Sequence, residues 1–82
     1  MTENQKEAFR KKVKYLMIDT GVKQRDILEE VNKIRSEIQK KAISEQFISK
    51  IINGDKDPTF EVLTAMSRKF GCTIDELTRG EV

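Results

Sequence analysis

Residues 44–54 read SEQFISKIING, and the way their side chains divide around a helix decides how the rest of the chain must fold. At about 100° per residue, Phe47, Ile48, Ile51 and Ile52 fall on one arc, and Glu45, Gln46, Ser49 and Lys50 fall on the other. The apolar arc needs a core to cover it. The polar arc is either a solvated face or a surface that reads something. Ser44 is a good N-cap, because its hydroxyl accepts an orphaned backbone N–H of the first turn, and Asn53-Gly54 supplies a natural stop.

On either side of this segment the pattern stays helical. Alternation of apolar and polar residues never persists, and the sole proline, Pro58, stands in the turn-like stretch GDKDPT. Phe9, Val13, Leu16 and Met17 predict a first helix over about residues 4–19, with Gly21 as its left-handed stop. A second begins near Lys23, where Ile27, Val31, Ile34 and Ile38 form a narrow apolar seam with Leu28 beside it. A fourth starts after Thr59, with Phe60, Leu63, Met66 and Phe70 expected inward and Gly71 as its stop. Thr73 and Glu76 make a T-x-x-E capping-box pattern for a short fifth helix that uses Ile74 and Leu77 and ends before Gly80. The expected fold is all-α, one bundle of five helices.

Composition narrows the function. A chain of 82 residues fits a single domain over 1–82, large enough to fold and too small to enclose a roomy active site. Hydrophobic and charged residues each make up 37% of it, which argues against disorder. No apolar run approaches the roughly 20 residues of a membrane span, and MTENQKEAF carries no secretion signal, so the expected location is the cytoplasm. One cysteine, Cys72, and no histidine leave no internal disulfide and almost no ligands for a metal. No cofactor, metal or small-molecule substrate is expected. The acidic residues are scattered without a histidine or a phosphate-cradling loop, so an enzyme is the least supported class and no catalytic residue is assigned. Cys72 reads as a filler at the core edge. The net charge of +2 says little, but Lys6, Arg10, Lys11, Lys12 and Lys14 cluster early while Asp75, Glu76 and Glu81 lie late.

Two stretches, VKQRDILEEV and ISEQFISKIINGDKDPTFEVLTAMSRKFGCTIDEL, resemble the lambda-repressor and Cro type (Xre family) of helix-turn-helix DNA-binding domains. The resemblance spans most of residues 9–78. It implies that the helix starting after Ser44 lies in the major groove of double-stranded DNA while the preceding helix crosses the backbone. On the family pattern Glu45, Gln46 and Lys50 reach base edges, with Ser49 nearby. Lys23, Gln24 and Ser44 meet phosphates at helix starts, and Asn53 and Lys56 grip the backbone from the following loop. Chemistry then assigns adenine to the Gln46 amide and guanine to the Lys50 donors, while the Glu45 carboxylate is repelled by phosphates unless it accepts from cytosine N4 or pairs with a neighbouring cation, so it contributes discrimination rather than affinity.

One feature departs from the family. Typical members end the second helix at a glycine three or four residues before the recognition helix, whereas here residues 33–42, KIRSEIQKKA, are extra beyond Asn32. Either the helix stops near Asn32 and residues 33–41 form a separate helical excursion, or the third helix is lengthened, or the second runs on through about residue 38. The absence of glycine and proline and the phase of Ile34 and Ile38 favour continuity. Those two isoleucines then either join the core or pack against a partner subunit. Lys33, Arg35, Lys40 and Lys41 either extend the phosphate contacts or form a solvated face.

The leading functional expectation is a sequence-specific regulator of transcription, a small phage or mobile-element repressor without its own effector domain. It would bind a near-palindromic operator as a homodimer, with recognition helices about 34 Å apart. The alternative is a protein-interaction adaptor or an antitoxin built on the same bundle.

Overall fold

The computed structural model describes residues 1–79 and contains α1 (Glu3–Thr20), α2 (Gln24–Glu37), α3 (Glu45–Ile52), α4 (Phe60–Phe70) and α5 (Ile74–Thr78). Among the described residues there is no strand, and no helix is long and apolar enough to cross a membrane. The fold is all-α. Gly80, expected just past the last helix, and the acidic Glu81 lie outside the described residues.

Local chemistry accounts for most of the helix ends. Ser44, Thr59 and Thr73 each accept a first-turn backbone N–H, from Phe47, Val62 and Glu76 respectively. At Thr73 this is only the forward half of the expected box. The reciprocal box is found instead at α1, where Gln5 N–H donates to Thr2 and Thr2 N–H donates to the Gln5 side chain. Gly21 and Gly71 stop α1 and α4 in the left-handed conformation, with φ of 75° and 71°.

One core holds the five helices together. Phe9 and Val13 of α1, Ile27 and Val31 of α2, Ile48, Ile51 and Ile52 of α3 and Leu77 of α5 are buried in it. Each large side chain so buried contributes about 1.5–3 kcal/mol. Leu16, Met17, Leu28 and Ile34 pack on its flank. The inward face of α4 is formed by Val62, Ala65, Met66 and Phe70, and Phe60 is 72% exposed, contrary to the sequence expectation. Phe60 is the first residue of α4, about 160° around the axis from Val62, so it cannot share that helix's buried arc.

The insertion extends α2. The helix runs through Glu37 and ends in a Schellman turn: Lys40 N–H donates to Arg35 C=O at 2.7 Å and Gln39 N–H to Ser36 C=O at 3.1 Å. Gln39 takes the left-handed position at φ 60°, where glycine is usual. Residues 38–43 are not helical and return along α2, so the helical segment expected near 33–41 is an extension to Glu37. Ile38 caps the helix and is 51% exposed, so the apolar seam ends at Ile34.

Polar contacts hold the return. The Asn32 amide bridges to Ile43, accepting its N–H at 2.8 Å and donating to its C=O at 3.3 Å. Arg35 Nε donates to Lys41 C=O at 2.6 Å, and the same guanidinium pairs with Glu61 at the start of α4 at 3.0 Å. Lys40 reaches the same carboxylate at 3.5 Å. The residue's own backbone N–H, then Lys40 and Arg35, hold the Glu61 carboxyl below its ordinary value against the upward push of desolvation. Two of the four insertion cations, Arg35 and Lys40, therefore share one carboxylate within the fold, leaving Lys33 and Lys41 exposed and outside any ion pair among the described residues.

Candidate nucleic-acid interface

The hydrophobic arc of α3 places its polar arc. Ile48 and Ile51 are fully buried and Ile52 nearly so, which fixes the helix's rotation on α1 and α2 behind it. Glu45, Gln46 and Lys50 are consequently exposed and Ser49 is half-buried at the edge of the same face. Among the described residues neither Glu45 nor Lys50 takes part in an ion pair. Glu45 thus lacks the neighbouring cation that would neutralise it.

The start of α2 lies against the start of α3. Gln24 Nε2 is 3.4 Å from Glu45 C=O, and Gln24, Glu45, Gln46 and Ser49 line a shallow open depression between the two helices. Lys23 is the exposed N-cap of α2, and its own N–H is taken by the Asp26 carboxylate at 2.9 Å. Ser44 accepts from Phe47 N–H at 3.2 Å, which leaves its hydroxyl hydrogen free to donate outward. Lys23, Gln24, Ser44, Glu45 and Gln46 therefore gather at one end of α3.

Asn53 stands at the other end, and Lys56, in the loop beyond it, reaches back to the first turn of the helix. Asn53 caps α3 and its amide lies 3.3 Å from Ser49 Oγ. Lys56 Nζ sits 5.3 Å from the centre of the Phe47 ring, a cation–π contact that directs the ammonium over α3. The loop closes through Gly54 at φ 81°, where a Cβ would meet Lys6 C=O at 3.4 Å and the Arg10 side chain at 3.5 Å. Lys6 and Arg10 thereby flank this loop, which only the general clustering of positive charge in residues 6–14 hinted at. Both are partly satisfied, by Glu3 and Glu7. The terminal ammonium of Met1 also reaches Asp57 in this loop, at 3.1 Å.

Cys72 is half-buried at the core edge, and burial first, then the Glu76 carboxylate, pushes its thiol up. That is the reverse of an activated nucleophile. Among the described residues no cluster of acidic, cysteine or histidine side chains is arranged to hold a metal ion.

Two adjoining helices, the shorter with its polar side outward, thus form an exposed polar face with cations and amides around it. Comparison with known proteins found no match among curated proteins and none among solved structures. A helix-turn-helix family model, however, matches residues 24–77, from the first residue of α2 to the buried leucine of α5. The chain belongs to the helix-turn-helix family of DNA-binding proteins, of the lambda-repressor and Cro type.

Proposed function

We propose that the chain works as one domain that binds a specific double-stranded operator and represses transcription by occupying it, in a phage or other mobile element. The observation that carries this reading is the outward face of α3, where three long polar side chains stand free of ion pairs beside the start of α2. An α-helix about 10–12 Å across fits a major groove about 12 Å wide. In that pose Gln46 and Lys50 read bases, Glu45 discriminates, and Ser49 lies close enough to assist. Lys23, Gln24, Ser44, Asn53 and Lys56 position the helix by holding phosphates.

Selection of bound sites from random duplex DNA is expected to enrich one motif. Affinity for that motif should fall with salt at a log–log slope of roughly −0.9 per phosphate contact. No enriched motif at moderate salt, or affinity for a protein partner that salt leaves unchanged, would instead favour the adaptor or antitoxin reading.

Two chains would occupy a near-palindromic site. Ile38, exposed at the tip of the extended helix, is the better placed of the two candidate interface residues, since Ile34 already packs against the core. Sedimentation at saturating operator should give two chains per site, and Ile38→Ser should weaken binding of the second. An unchanged pair removes Ile38 from the interface.

A further inference from the structure

We infer that Asn32 is the residue that places the recognition helix, by closing the neck of the insertion. A short turn in this family brings the end of the second helix next to the start of the third. Here residues 33–42 intervene, and the close approach is restored by a side chain. The Asn32 amide presents one acceptor and one donor to the two backbone groups of Ile43, at 2.8 and 3.3 Å, much as a neighbouring strand would. Ile43 is half-buried against the core and immediately precedes the N-cap Ser44, so the bridge fixes the point from which α3 starts.

The geometry outside the bridge supports this division of labour. From Asn32 to Glu37 the helix advances by about 7.5 Å. Residues 38–43, extended at about 3.3 Å each, cover the return with slack to spare. Slack in the return means that helix length alone does not determine where α3 begins. The contacts of Arg35 with Lys41 and Glu61 tie down the excursion further out, while the Asn32 bridge lies at its base. Base reading requires side chains to be held to about 0.5 Å, so a start point free to wander costs discrimination before it costs attachment.

This inference rests on the DNA-binding reading for its consequence, though not for its geometry. The test compares wild type with Asn32→Ala and Asn32→Asp, the second keeping the acceptor for Ile43 N–H while losing the donor. Amide exchange and backbone resonances are followed by NMR in the free protein. Affinity is measured for the selected operator and for a random duplex. In Asn32→Ala, Ile43 N–H should exchange about tenfold faster and the α3 resonances should move, while exchange in α4 stays as in wild type. Operator affinity should drop about tenfold and random-duplex affinity less than about twofold, with Asn32→Asp between the two. Unchanged exchange at Ile43, or an equal loss on both duplexes, overturns the inference. If wild type itself shows no preferred sequence, the regulatory reading fails separately, and the exchange and resonance comparison still decides whether Asn32 places α3.

Discussion

Ile48→Ala lowers the unfolding free energy by about 2–5 kcal/mol, the usual cost of emptying a fully buried aliphatic site. Ile48 is 0% exposed and sits on the inner side of α3, between the exposed Gln46 and Lys50 in sequence. A helix of eight residues has negligible stability alone, so the packing of its isoleucines is what keeps it formed. For a domain of this size each kcal/mol shifts Tm by roughly 4–8 °C. The same loss should appear in urea as a lower midpoint with an unchanged slope. Phe60→Ala is the internal control: its ring is 72% exposed, and the change should stay within about 0.5 kcal/mol. Comparable losses for the two variants would mean that α4 is rotated from the arrangement described above.

Phe60 also shows why part of this fold was hard to read from residues. The apolar letters of FEVLTAMSRKF support more than one helical face, and an aromatic at the first position extends the spacing of Leu63, Met66 and Phe70. Met66 and Phe70 are buried and Leu63 packs on the core as expected, but the packing of α4 along α2 adds Val62 and Ala65 to that face and leaves Phe60 outside it. The α3 arc had no such ambiguity, because its apolar residues fall in two adjacent pairs, Phe47-Ile48 and Ile51-Ile52, and its polar residues fill the opposite side. The end of α2 was obscure for a different reason. Its stop is made by Gln39 in a left-handed turn, with no glycine or proline to announce it. The bridge from Asn32 to Ile43 spans residues that are neighbours only after the insertion has folded back, so no local spacing encodes it. The same holds for Glu61, whose one carboxylate is shared by Arg35 and Lys40, two of the cations that the insertion offered to DNA.

Gln46→Ala and Lys50→Ala should each reduce preference for the selected operator by about 1–3 kcal/mol, roughly five- to 150-fold, while leaving attachment to random DNA nearly intact. The two residues are one turn apart, so their side chains leave the helix about 6 Å from each other on the same face. That separation is close to two base-pair steps of about 3.4 Å, which lets one amide and one ammonium address separate bases in a single pose. Lys56→Ala provides the contrast. Its ammonium is held over Phe47 in the first turn of α3; on the proposed reading it meets a phosphate there, so its loss should weaken all duplexes alike and reduce the salt slope by about 1. Competition binding at two salt concentrations separates the two classes. If Gln46→Ala and Lys50→Ala instead weaken operator and random DNA equally, their side chains serve as attachment points. Sequence preference would then have to arise from the shape of the duplex, with α3 acting as a rigid insert in the groove.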